Sequence, residues 1–191
     1  MAAGANDIKK GTFIVIEGAP YVVFSLSHSH IGRGEAVIQT KIRNLKTGAI
    51  LDRNFKAGDS VKEAEIFKMQ AQFIYERRGE YWFHETSKPV NRFFIKAEAL
   101  DSKRMFLKPE MEVVALKFMK DDKEEIINVE LPVKADYRVI EAPPGIRGST
   151  AQGGTKVATI EGGLKINVPL FIEEGNTIRI NTETGEYAER V

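Results

Sequence analysis

Hydrophobic positions along this chain come in short runs rather than helical stripes. Residues 13–16 (Phe-Ile-Val-Ile), 21–24 (Tyr-Val-Val-Phe) and 36–42 (Ala-Val-Ile-Gln-Thr-Lys-Ile) are rich in β-branched and aromatic side chains, the composition of strands. Between them stand Glu-Gly-Ala-Pro at 17–20, a Gly-Arg-Gly tip at 32–34 and Asn-Leu-Lys-Thr-Gly at 44–48, all of it turn chemistry. Two more hairpins are expected: 73–75 with 81–83 across Glu-Arg-Arg-Gly-Glu, and 113–119 with 126–129 across Lys-Asp-Asp-Lys-Glu-Glu. After residue 131, the stretches 137–140, 164–168, 170–172 and 177–181 alternate apolar with polar residues. Only 96–103 (Lys-Ala-Glu-Ala-Leu-Asp-Ser-Lys) reads as helical, and it is short.

Many short strands separated by closely spaced turns predict an all-β chain of small barrels or sandwiches. Strand-poor joints near 60–65 and 130–132 divide it into three expected barrels, residues 1–64, 65–130 and 131–191.

Composition narrows the function classes. The 191 residues are 42% hydrophobic, an ordinary value for a protein that buries a core. With no cysteine, disulfides and thiolate metal sites are excluded. No apolar run approaches the ~20 residues of a membrane span. The first residues carry no basic region followed by an apolar run, so a cytoplasmic location is expected, without a membrane partner. Net charge is +1, but residues 1–64 hold nine Lys/Arg against six Asp/Glu. That surplus of three is a mild pointer to a polyanionic partner.

Candidate chemistry is sparse. His28 and His30 share one strand face, yet a metal site needs more ligands than two imidazoles, and no metal is expected. The pairs Asp121-Asp122 and Glu173-Glu174 fall in turns and read as solvated charge. No nucleophile–base set, phosphate-cradling loop or dinucleotide fingerprint is present, so neither an enzyme nor a cofactor is expected. Tyr75, Tyr81, Trp82 and Phe83 could stack bases on a barrel face, but the plainer expectation is that alternate members fill the core.

Arg33 is the unusual residue. Arginine is a poor turn former, and here it stands between Gly32 and Gly34 at a hairpin tip. Flanking glycines permit positive φ and remove side-chain bulk. A strand over 21–29, rising ~3.3 Å per residue, would run roughly 30 Å and hold the arginine out.

The last third holds the most specific pattern: Lys156-Val-Ala158, Gly163, Ile166, Val168-Pro169, Ile172 and Gly175, then Thr-Glu-Thr-Gly-Glu-Tyr-Ala-Glu-Arg-Val at the C-terminus. Asn44 to Gly48, Pro143, Gly145 and 148–154 (Gly-Ser-Thr-Ala-Gln-Gly-Gly) stand in the same order as in a known family. Over its whole length the sequence resembles the elongation factor P / initiation factor five A family, in an arginine-tip variant. The resemblance implies an N-terminal SH3-like (KOW-type) barrel followed by two OB-type barrels in an L-shaped, tRNA-like arrangement. It implies a translation factor, expected as a monomer, that binds the ribosome between the peptidyl and exit sites and promotes peptide bonds at consecutive prolines. The implied partners are ribosomal RNA and the CCA end and elbow of peptidyl-tRNA. In the family the tip residue, most often a modified lysine and in one branch a rhamnosylated arginine, reaches the peptidyl-transferase centre. The matching position is Arg33, which implies an arginine-modifying glycosyltransferase as a further partner. Lys41, Arg43, Tyr187 and Arg190 are the expected RNA- and tRNA-binding residues. Gly148, Ser149, Thr150, Gly153 and Gly154 form the expected exit-site codon loop. The chain departs from the family pattern in Arg33 for lysine, Ile31 for proline and Ser149 for aspartate. Two alternatives stay open: a paralogue with a different stall preference, and a free RNA-binding module or RNA chaperone.

Overall fold

The computed structural model describes residues 2–29, 37–120, 123–144 and 154–191. The all-β expectation is borne out in three antiparallel sheets. The first runs β1 (Ala2–Gly4), β6 (Ser60–Glu63), β2 (Phe13–Ile16), β3 (Ala19–Ser29), β4 (Val37–Asn44) and β5 (Ile50–Lys56). The second runs β11 (Lys123–Glu130), β10 (Glu112–Lys120), β7 (Ile66–Arg77), β8 (Glu80–Glu85) and β9 (Lys88–Lys96). The third runs β14 (Lys165–Pro169), β13 (Thr155–Ile160), β12 (Lys134–Glu141), β15 (Thr177–Asn181) and β16 (Tyr187–Arg190).

Two of the hairpin turns show why the strands pair tightly. Glu17 and Gly18 both have positive φ (52° and 77°), as do Arg78 and Gly79 (55° and 79°). Two consecutive positive-φ residues make the primed turn whose twist matches the flanking strands. The expected five-residue loop around Arg78 is therefore only two residues long.

The sheets pack as two compact units. One is Met1–Asp101 with Val113–Glu130 and holds the first two sheets; the other is Ser102–Glu112 with Leu131–Val191 and holds the third. Within the first unit, Ile14, Val23, Ile38, Ile42, Phe55 and Val61 fill the interior of the first sheet. A second cluster of Leu45, Leu116, Phe118 and Ile127 joins the two sheets, with Phe13, Val22 and Ile66 against it. A register shift between Leu116 and Lys117 explains how one strand serves both places. Val113 and Ala115 share one face of β10; the bulge brings the consecutive Leu116 and later Phe118 to the joint, as bulges re-aim side chains. Each buried side chain of this size is worth ~1.5–3 kcal/mol, so parting the sheets would expose several such contributions at once.

Three expectations fail. The stretch 60–65 is not strand-poor: Ser60–Glu63 forms β6 between β1 and β2, with Val61 in the core. Only Ala64 and Glu65 separate it from β7. The strand expected at 170–172 is a turn. Pro169, the last residue of β14, has no N–H to extend a ladder, and its carbonyl instead accepts from Ile172 N at 3.1 Å. The helix expected over 96–103 shrinks to α1 (Ala97–Leu100), followed by a 3-10 segment, Asp101–Phe106. Asp101 takes φ 53°, which ends the α-helical run.

Candidate functional site

The first candidate region is the β3–β4 hairpin. Its strands pair from Tyr21↔Asn44 to Ser29↔Val37, and β5 follows β4 as far as Val37↔Lys56. The sequence suggested a hairpin reaching well clear of the barrel. Among the described pairs, Ile38, the register partner of His28, is fully buried with the core. The barrel interior therefore supports the hairpin to within one residue pair of its described end. Gly32, Arg33 and Gly34, with His30 and Ile31, lie outside the described residues.

The two basic candidates on β4 differ in setting. Lys41 is exposed and reaches Asp52 at 3.2 Å, an ion pair of the weak surface kind. Arg43 is more enclosed: its guanidinium lies 5.1 Å from the Phe24 ring centroid and 3.7 Å from Asp101. Its Nε is buried without a hydrogen-bond partner. Arg43 thus braces the sheet against Asp101, directly after α1, and Lys41 is the freer cation.

In the third sheet, Tyr187 and Arg190 sit on the edge strand β16. Arg190 lies 5.8 Å from the ring centroid of Phe171, which is 60% exposed. A surface cation over an exposed ring suits a phosphate-and-base contact. Neighbouring Arg179 is committed elsewhere: Nε and Nη2 donate to the two Asp136 oxygens at 2.7 and 3.0 Å, and Nη1 donates to Glu189 at 2.9 Å. These hydrogen bonds hold the Asp136 carboxyl below its usual range, against the opposing effect of partial burial.

Of the expected codon loop, Gly148, Ser149, Thr150 and Gly153 lie outside the described residues, and Gly154 begins the described part with φ 66°. The loop's two ends are tied down. Lys156 Nζ donates to the Pro143 carbonyl at 2.8 Å, and Leu170 N donates to the Gly154 carbonyl at 3.2 Å.

The aromatic run alternates as expected. Phe83 is fully buried, beside Phe73 and stacked on Phe93. Tyr75 and Phe94 are instead 39% and 41% exposed. Trp82 lies between them, with centroids 6.2 Å from Tyr75 and 5.2 Å from Phe94. The register explains this: Tyr75↔Trp82 and Trp82↔Phe94 are directly paired, one residue off the inward-facing Phe83. Phe94 was missed because the run containing it begins Lys-Pro-Val-Asn, which does not read as a strand. Among the described residues, no group of three His, Asp or Glu side chains could hold a metal, and no helix is long and apolar enough to cross a membrane.

Three small antiparallel sheets, the first of them matching a KOW-like family domain, place the chain among translation elongation factors. Residues 4–61 match the family model "Elongation factor P (EF-P) KOW-like domain", and residues 135–190 match "Elongation factor P, C-terminal". Elongation factor P of Moorella thermoacetica is 38% identical over 185 residues, covering 97% of each chain. That of Persephonella marina is 40% identical over 188 residues, covering 98% of this chain and 96% of its own. That of Thermotoga petrophila is 39% identical over 185 residues, covering 97% of each. The chain belongs to the elongation factor P family. Among solved structures, "Eukaryotic translation initiation factor 5A from Methanococcus jannaschii" is similar over 68% of this chain and 94% of its own, at 14% identity and a TM-score of 0.48, too low to add to the assignment.

Proposed function

We propose that this protein binds the ribosome between the peptidyl and exit sites and promotes peptide bond formation at consecutive prolines, with Arg33 as its working tip. The observation that carries this reading is the β3–β4 hairpin, paired up to Ser29↔Val37 and backed by buried Ile38. A packed hairpin base fixes where the chain leaves and rejoins the sheet, and pre-organised groups contribute more than mobile ones. The Arg33 guanidinium stays protonated at physiological pH and offers a planar fork of donors to phosphate or ribose oxygen. Gripping the end of peptidyl-tRNA lowers the positional entropy that the reactants must lose, a contribution that reaches several kcal/mol in favourable cases. Proline needs this help because its ring fixes φ and restricts the geometry of attack.

In this reading ribosomal RNA and peptidyl-tRNA are the partners, Lys41 and Arg190 supply cationic contacts, and residues 148–154 face the exit-site codon. A glycosyltransferase acting on Arg33 is a further partner, and the chain works as a cytoplasmic monomer. The test is Pro-Pro-Gly synthesis in a reconstituted translation system. Arg33→Ala should lose most of the acceleration while unfolding at the same temperature as the parent. Equal acceleration by Arg33→Ala would overturn the assignment.

A further inference from the structure

The outer face of the second sheet is arranged in three rows across β7, β8 and β9. The middle row is aromatic: Tyr75, Trp82 and Phe94. On one side the register sets Arg77, Glu80 and Lys96 in line; on the other it sets Gln72, His84 and Arg92. Inward positions on the same strands are the buried Phe73, Phe83 and Ile95, so the aromatic row is not needed to fill the core. Among the described residues, Arg77, Arg78, Arg92 and Lys96 form no ion pair. A depression of about 240 Å³ between the first two rings is lined by Tyr75, Trp82, Arg77, Arg78 and Glu80.

We infer that this face is a binding platform for unpaired RNA, whose successive bases stack on Phe94, Trp82 and Tyr75 while Arg77, Arg78, Arg92 and Lys96 meet its phosphates. Two observations select this occupant. First, adjacent rings stand 5.2 and 6.2 Å apart on neighbouring strands, so they form a track rather than a single pocket. Base stacking on such a track tolerates any sequence, because every base has a π-face. Second, cations border the track on both sides, and Glu80 is the single carboxylate among the three rows. Such a rim attracts a polyanion and repels cationic surfaces. A duplex hides its base faces and does not fit.

The inference goes beyond the role in peptide bond formation, and its test is separate from the Pro-Pro-Gly assay. Trp82 is the chain's one tryptophan, so its emission reports on the middle of the track. The full chain is titrated with a single-stranded oligoribonucleotide of about 12 nucleotides, with the same strand as a duplex, and with poly-glutamate. The single strand should quench Trp82 emission, and the other two should not. Followed by anisotropy of a labelled strand, Trp82→Phe should hold affinity and Trp82→Leu should lose about tenfold, since leucine keeps apolar bulk without a π-face. Arg77→Gln with Arg78→Gln should flatten the dependence of log affinity on log salt by about one to two. Absence of quenching, equal quenching by duplex, or equal affinity of Trp82→Leu and Trp82→Phe would overturn the inference. Quenching by poly-glutamate instead would assign the face to an acidic protein.

Discussion

Asn128 donates from its side-chain amide to the backbone carbonyl of Leu45 at 2.9 Å, across 83 residues of sequence. The same nitrogen donates to the Ala99 carbonyl at 3.1 Å, while its side-chain oxygen accepts from Val129 N at 2.8 Å. One buried amide therefore ties the end of the first sheet, the helical segment and β11 together. Asn128→Leu keeps the volume but leaves two buried carbonyls and one N–H unpaired. Unpaired buried groups of this kind cost ~1–3 kcal/mol each. A fall of at least about 3 kcal/mol is expected in urea denaturation of the first unit, and an unchanged midpoint would show that water replaces the amide.

Gly48 closes the β4–β5 turn with φ 75°. Asn44 Oδ1 accepts there from Lys46 N and Thr47 N at 2.9 and 3.1 Å. A Cβ at residue 48 would lie against the backbone carbonyl oxygen of Glu98, far inside van der Waals contact. Gly48→Ala combines an unfavourable φ with a clash that no side-chain rotation relieves, at a cost of at least about 2 kcal/mol. Thermal denaturation of the variant checks this, and Gly11→Ala, whose added Cβ meets nothing within 4 Å, serves as the control for the φ contribution alone.

Tyr137 is almost fully buried, and its hydroxyl donates to the Phe106 carbonyl at 2.6 Å. Burial first, then the Glu161 carboxylate, push this hydroxyl above the usual tyrosine range, so it remains a donor at physiological pH. Tyr137→Phe should cost about 1–2 kcal/mol through the orphaned carbonyl. Chemical denaturation of the full chain, followed by a probe in the third sheet, measures it.

Asp136 supplies a pH dependence of definite sign. Its carboxyl is held low in the folded state by Arg179, so folding favours the ionised form. The stabilisation is complete above the ordinary aspartate value of ~3.9 and is lost as pH falls through the lower folded value. Asp136→Asn should therefore be less stable than the parent at pH 7, and the gap should close as pH falls below about 4. Equal gaps at both pH values would mean that the carboxylate's charge is not what Arg179 recognises.

For Arg190 the expected readout is salt dependence. Removing one phosphate contact lowers the slope of log affinity against log salt by about one, so Arg190→Ala should lose more ribosome affinity at low salt than at high. Parallel salt curves for parent and variant would give Arg190 a purely structural role on Phe171.

Several features were legible because local chemistry and packing agree. The hairpin at 73–83 shows aromatic runs around Arg-Gly, and the structure places those two residues at positive φ, a position that Gly79 suits. The strands that escaped notice lack any alternation. In β5 only Phe55 is buried, since the strand lies at the edge of its sheet and takes its shape from hydrogen bonds to β4. β9 opens with exposed Lys88, Pro89, Val90 and Asn91 and is likewise an edge held by its neighbour. The joint near 60–65 was misread for a different reason: four residues with one apolar side chain carry too little pattern to announce a strand. At Arg43 the sequence offers a cation, and only the fold shows that Phe24 and Asp101 surround it. The aromatic row needed the register, because a one-residue offset decides whether Trp82 or Phe83 turns inward.

The segment Ser102–Glu112 packs with Leu131–Val191, although both of its neighbours in sequence belong to the other unit. It brings the Phe106 carbonyl to Tyr137 and sets Lys108 Nζ on the Asp136 carbonyl and Glu161, at 2.6 and 2.9 Å. A family boundary drawn at residue 135 leaves this segment behind. Recombination between relatives near that point would part Tyr137, Asp136 and Glu161 from the stretch they bond to. Chimeras that carry 102–112 along with the C-terminal sheet should fold better than those that exchange the sheet alone, so the heritable unit is discontinuous in the gene.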